Sequence, residues 1–282
     1  MNVNQKFCDV QDKAHEKAQN TMDALLAKTA IEAAHAAGSV LTRYFLKKLH
    51  AQEKKDAGIV TEADLAAEKA ALKILNSREG ARAKLPQFSY LTEESGKGGQ
   101  EQSEGRWIID PLDGTTNFFH GFPMFCVSIA AEWRGEVRAG VIYHPILKET
   151  YVATRGKGAF MNKKPLLVSK ASNLSRALLT TGFSYTKDVL DKEIQSFQNI
   201  SRICRAVRRP GSAALDLAYT ARGVFDGFWE RNLSPWDVAA GSLLVTEAGG
   251  KVTDFSGNAF RVDAHEILAT NGIVHQRLLR RF

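Results

Sequence analysis

The chain has 282 residues, 44% hydrophobic and 24% charged, ordinary globular composition for one large domain or two lobes. No apolar run reaches the ~18–20 residues of a membrane span, and the polar N-terminus lacks a signal peptide's apolar core. Cys8, Cys126 and Cys204 form neither a CxxC nor an even-numbered disulfide framework, so a reduced, cytoplasmic protein is expected.

Residues 22–48 carry a long helical periodicity rich in Ala and Leu, behind a polar extension at 1–21. "TEADLAAEKAALKILNSR" (61–78) predicts a second helix that Thr61 caps. "EESGKGGQEQSEGR" (93–106) reads as an exposed loop leading into a strand at Trp107. Three strands are expected between 124 and 155, with turns at Arg134-Gly135 and around Pro145. Then come a helix at 213–222, a strand at 223–230 and a helix at 236–248 ended by Gly249-Gly250. Strands at 251–254 and 266–269 and a last helix at 272–281 follow. This order predicts a layered α/β or α+β architecture, with no internal repeat.

The net charge of +7 admits an anionic ligand or nucleic acid. Its densest stretches, "RICRAVRR" (202–209) and "RLLRRF" at the C-terminus, lack interleaved aromatics and glycines. Solvated basic faces, with mild steering of an anionic substrate, are the better reading.

The chemistry concentrates in "WIIDPLDGTTNFFH" (107–120). Trp-Ile-Ile reads as a buried strand, and carboxylates at its end cost free energy unless something positive holds them. Asp110, Asp113 and the Leu112 carbonyl can converge, because Pro111 fixes a bend. Such oxygen donors suit a hard cation such as Mg²⁺. Gly114-Thr115-Thr116-Asn117 then offers backbone N–H groups at a turn entering a helix, an anion site beside the cation site. "LTEES" places Glu93 and Glu94 after a short strand, a pattern that alone reads as a wet loop. "SPWDVAAGSLLVTEAGG" places Asp237 in the first turn of an apolar helix, where alone it reads as dipole stabilisation. Together these acids outnumber what capping needs, and two metal ions sharing them would account for all.

"DPLDGTTNFFHGFP" and "WDVAAGSLLVTEAGG" resemble the two signature motifs of the inositol monophosphatase family, Mg²⁺-dependent, lithium-sensitive sugar-phosphate phosphatases. "VTEAD" (60–64), "TEES" (92–95), 140–160 and 208–230 match as well, so the resemblance covers roughly residues 22–282, the expected catalytic domain. It implies an αβαβα sandwich and two or three Mg²⁺ ions held by Glu93, Asp110, Asp113, the Leu112 carbonyl and Asp237. It implies that Gly114 and Thr115 bind phosphate, and that Thr115 and Asp64 orient the attacking water, with Glu93 among the catalytic groups. It further implies that Gly211, Ser212, Ala213, Glu230 and Asp237 meet the substrate. Gly58 stands where family members often carry an aspartate, and Lys54 or Lys55 would supply a mobile basic loop.

The expected reaction is hydrolysis of myo-inositol monophosphate by in-line attack of metal-activated water, in a homodimeric enzyme without membrane contact. Histidinol phosphate, fructose 1,6-bisphosphate and adenosine 3′,5′-bisphosphate are alternative substrates. From a different class comes a regulatory protein that binds RNA polymerase in ribosomal RNA transcription, a role the resemblance also includes. Two nearby features are expected to be structural: His120 as a hydrogen-bonder, and Trp107 with Trp236 as core walls. "GKGGQEQ" lacks a P-loop ending, and "RGKGAF" reads as a hairpin turn.

Overall fold

The structure, a computed structural model, describes residues 3–54, 58–184 and 186–282, with side chains from residue 17 onward. Lys55 and the Cys8 side chain therefore lie outside the described part. Helix α1 (Val3–Tyr44) takes in most of the polar extension and stops short of the expected 48. Its buried face repeats at three and four residues through Leu26, Ala30, Ala33, Ala37 and Leu41. An antiparallel ribbon of β1 (Ala51–Glu53) and β2 (Ile59–Thr61) leads into α2 (Glu62–Leu75). Thr61 caps α2 as expected: its hydroxyl accepts from the Ala63 amide, and Asp64 reaches back to the Thr61 amide.

Next come β3 (Ser89–Thr92), β4 (Gly96–Gly99) and β5 (Gly105–Asp113). The loop expected over 93–106 thus contains a strand, β4, paired antiparallel with β3. Gly-Lys-Gly-Gly has no alternating side chains from which a strand could be read. The short α3 (Thr115–Phe119) precedes a meander of β6 (Cys126–Trp133), β7 (Glu136–His144) and β8 (Glu149–Thr154), and then β9 (Ala159–Met161) and β10 (Lys164–Pro165). The second half comprises β11 (Leu178–Thr181), α4 (Lys187–Ser201), β12 (Ala206–Arg208), α5 (Ala213–Ala221) and β13 (Gly227–Arg231). It closes with α6 (Pro235–Glu247), β14 (Lys251–Thr253), β15 (Glu266–Thr270) and α7 (His275–Leu279).

Two ends differ from expectation for local reasons. The strand expected from 223 begins only at Gly227, because Asp226 turns its carboxylate onto the Leu178 amide and Ser169 hydroxyl. The last helix begins only at His275, because Asn271 Oδ1 accepts from the Ile273 and Val274 amides and holds a turn there.

The strands form an eight-stranded sheet, order β10-β9-β8-β7-β6-β5-β3-β4, and a five-stranded sheet, order β12-β11-β13-β15-β14. Alternation along the central strands builds the layers. Trp107 and Ile109 of β5 pack with α1 and α2, whereas Ile108 faces the core shared with α5 and α6. Phe228 of β13 and Ile267 of β15 meet that same core from the small sheet, while Trp229 and Leu268 turn outward to Ile200, Val274 and Leu278. The outcome is helix, sheet, helix, sheet, helix, the layered α/β fold anticipated. Trp107 is a core wall as expected, and Trp236 packs half-buried against the central core. Cys126 and Cys204 are free thiols, and no described helix is long and apolar enough to cross a membrane.

Candidate active site

A cleft of about 220 Å³ opens where β5, α3, α5, α6 and β13 end together. Of the expected residues, Glu93, Asp113, Gly114, Thr115, Gly211, Ser212, Ala213, Glu230 and Asp237 line it. Asp64, Asp110 and Leu112 do not; they are buried just behind the wall. A larger groove of about 520 Å³ lies elsewhere, but its arginines are paired: Arg106 with Glu132, Arg155 with Glu136 and Arg261 with Asp263.

β5 carries the central acids. Its pairing with β6 shifts register between Asp110 and Asp113, around Pro111, so the strand bends where the expected turn falls. Asp110 Oδ1 accepts from the Leu112 amide at 2.9 Å. Asp113 Oδ2 accepts from the Ser212 hydroxyl and the Ala214 amide, both at 2.7 Å, tying β5 to the start of α5. Asp237 completes a capping box on α6, its Oδ2 accepting from the Ser234 amide at 2.7 Å. Gly114 begins α3 with φ +96°, a conformation open to glycine and strained for other residues.

The charges crowd one another. Burial, then the negative charges of Glu93, Asp113 and Asp237, push the Asp110 carboxyl well above its ordinary range. Burial, then Asp113 and Glu93, do the same to Asp237. Asp113 is raised by burial although Ser212 and Ala214 oppose the shift. Lys54 is the cation that meets the cluster, its Nζ 2.7 Å from both Glu93 Oε1 and Glu94 Oε1. Burial alone would lower Lys54, but the two glutamates outweigh it and hold the ammonium charged.

These donors fit a hard divalent cation: buried Asp110 and half-buried Glu93, Asp113 and Asp237 gathered without matching positive charge, beside a backbone carbonyl. Among the described residues, no three His, Cys, Asp or Glu side chains form a ready-made shell around one point.

Behind the wall, Thr115 Oγ1 lies 2.9 Å from Asp64 Oδ1 and 3.0 Å from the Leu112 carbonyl, donating a shared hydrogen bond. Asp64 Oδ2 is fixed by the Thr61 amide at 2.8 Å and hydroxyl at 2.6 Å. Across the cleft, burial and then Asp216 and Asp237 drive Glu230 well upward. Its carboxylate fills the space beside Gly182, where any Cβ would collide with it.

Several contributors escaped the sequence reading. Asp216 is buried, lines the cleft and accepts from Thr180 Oγ1 at 2.9 Å. Gly182 gives no signal beyond an isolated glycine after an apolar strand. Asn117 lies inside the quoted motif, but its bond to Pro210 spans 93 residues, a distance no local pattern reveals. His120 is exposed, and its ring makes an edge contact with Phe119 and no hydrogen bond among the described residues, contrary to the role expected for it.

Comparison with known proteins agrees with this architecture. The sequence model described as "Inositol monophosphatase family" matches residues 22–282. Inositol-1-monophosphatase of Synechocystis is 42% identical over 251 residues, covering 88% of this chain and 85% of its own. Nus factor SuhB of Pseudomonas aeruginosa is 41% identical over 257 residues, covering 89% and 93%. The extragenic suppressor protein SuhB from Bartonella henselae superposes with a TM-score of 0.84 at 42% identity, covering 90% and 96%. Inositol monophosphatase from Anabaena gives 0.79 at 44% identity, covering 90% and 94%. Fold and cleft thus define a layered α/β phosphatase. The chain belongs to the inositol monophosphatase family, whose members are phosphomonoesterases.

Proposed function

We propose that the chain is a Mg²⁺-dependent phosphomonoesterase that hydrolyses myo-inositol monophosphate, or a close polyol phosphate, to the alcohol and inorganic phosphate. The observation that carries this reading is the arrangement of the cleft: Glu93, Asp113 and Asp237 line one region, Asp110 stands behind them, and Glu230 lines the same cleft. Glu93, Asp110, Asp113, the Leu112 carbonyl and Asp237 would hold two or three Mg²⁺ ions. Bound there, they would supply charge neutralisation at the phosphate and a water of lowered pKa.

The chain's own groups do the rest. Backbone amides of Gly114 and Thr115 bind the phosphate at the turn into α3. The Thr115 hydroxyl, held by Asp64, orients the attacking water in line with the ester bond. Neither a nucleophilic side chain nor a histidine is required. Glu230 accepts from polyol hydroxyls, with Gly211, Ser212 and Ala213 shaping the same wall. Residues 22–282 act as one catalytic unit behind the 1–21 extension, in a cytoplasmic homodimer.

The test is phosphate release, with and without Mg²⁺, from inositol, histidinol, fructose and adenosine phosphates. Inositol monophosphate should give the highest kcat/KM. A better histidinol or bisphosphate substrate would overturn the substrate assignment while leaving the phosphatase reading intact. A second reading, transcription-factor binding, is favoured by the 41% identity to a protein named a Nus factor. Binding of RNA polymerase by Asp110→Asn, inactive as a phosphatase, would establish it as a separate role.

A further inference from the structure

Glu68 follows Asp64 by four residues on α2, so the two carboxylates stand on one face of that helix, a turn apart. Both are buried, at 3% and 0% exposure. Asp64 holds Thr115. Glu68 reaches instead to the turn joining β3 to β4, whose first residue is Glu93.

Its grip there is threefold. Oε2 accepts from the amides of Glu94 at 3.1 Å and Ser95 at 3.3 Å, and Oε1 accepts from the Ser95 hydroxyl. On the other side, the Glu93 amide donates to the Ile109 carbonyl at 3.2 Å, one residue before Asp110. Glu93 is thereby clamped between α2 and β5. Glu68 forms no salt bridge among the described residues, so this buried carboxyl group is held by the turn and not by a cation. Filling the space would not need a carboxylate, since an apolar side chain of similar volume avoids the desolvation cost altogether.

We propose that Glu68 is a positioning residue for the metal site, holding the 93–95 turn so that the Glu93 carboxylate meets Asp110 and Asp113. This rests on the reading of Glu93 as a Mg²⁺ ligand. Asp64 and Glu68 together make α2 a strut with two arms, one on the residue that orients water and one on the turn that presents Glu93. The spacing between those two groups is then set by one helical turn and not by the ligands.

The experiment measures Mg²⁺ binding to the full chain by calorimetry, with melting in chelator and amide exchange over 93–97. Glu68→Met fills the volume without accepting hydrogen bonds; Glu68→Gln keeps an acceptor. Met should weaken Mg²⁺ binding about tenfold or more, in the range found when groups supporting a metal ligand are removed, and speed exchange in the turn. Gln should stay within about threefold of wild type. Unchanged Mg²⁺ affinity in the Met variant, with only a lowered melting temperature, would overturn the proposal, as would equal weakening in Met and Gln. Should Met fail to fold, Ser95→Ala removes one of the three bonds and must weaken binding measurably, or the proposal fails. A wild type that binds no Mg²⁺ would sink the phosphatase reading, and this inference with it.

Discussion

Asp113 and Glu230 face one cleft and are held in opposite ways. Asp113 accepts two 2.7 Å hydrogen bonds from its own chain, from Ser212 and Ala214. Glu230 accepts none among the described residues and stays in place because Gly182 leaves it room. Burial raises both carboxyls, so the contrast is not one of environment. The first is preorganised before any ligand arrives, as groups that stabilise a reacting centre need to be. In the proposed function the second, half-buried, awaits the substrate's hydroxyls, as an acceptor that discriminates among them does.

The largest effect expected from that contrast is at Asp110, on the preorganised side. Asp110→Asn should lower hydrolysis by at least about a hundredfold, since metal stabilisation of a phosphoryl centre is worth several kcal/mol. It should also lose the rise in melting temperature that Mg²⁺ gives wild type, while melting in chelator at no lower temperature, because a carboxyl whose charged form is disfavoured by burial and acidic neighbours has gone. A variant less stable in chelator, and still stabilised by Mg²⁺, would make Asp110 an ordinary structural residue.

On the other side, Gly182→Ala should push the Glu230 carboxylate aside and raise KM for inositol phosphate about tenfold, ~1.4 kcal/mol. Turnover of a small aryl phosphate should barely change. A smaller shift is expected from Glu230→Gln, which keeps the shape but loses the charge: selection for inositol phosphate over the aryl ester should fall about fivefold, ~1 kcal/mol. Equal losses on both esters in either variant would move Glu230 into the catalytic machinery and erase the contrast.

The smallest effect concerns pH. Glu94, raised from 4.5 to about 7 by burial first and then by Glu93, keeps its proton in the fold where the unfolded chain releases it. The folded state therefore binds more protons between these values, and stability falls as pH rises through that window. Melting in chelator should drop by about 3 °C or more from pH 4.5 to 7.5, roughly the effect of 1 kcal/mol in a chain of this size. Saturating Mg²⁺ should flatten the slope, and a rise with pH in chelator would contradict it.

The sequence made the preorganised side easier to read than the other. Asp110 and Asp113 end a conspicuously apolar strand, and Asp237 opens an apolar helix within a long motif, so local pattern exposed them. Thr61 announced itself as a helix cap, whereas Asp64 came only from the family resemblance. Glu68 gave no signal, because a glutamate in an amphipathic helix reads as solvent-facing until the β3–β4 turn is folded over it. Gly182 and Asp216 depend on β11, β13 and α5 coming together, and that proximity has no local signature. β4 was missed for a related reason: glycines pair through backbone alone, leaving nothing to alternate.

Asn117 carries a consequence for how the cleft can move. Its side-chain amide donates to the Met124 carbonyl at 2.7 Å, to Pro210 at 2.8 Å and to Gly211 at 3.3 Å. One residue on α3 thus rivets the bank bearing the Gly114–Thr115 turn to the segment that enters α5. The two banks cannot hinge apart without breaking that amide's bonds, so the span from the Gly114–Thr115 turn to Gly211 behaves as a fixed gauge. A substrate would be admitted by its reach, the distance from phosphate to far hydroxyl, before any individual contact discriminates.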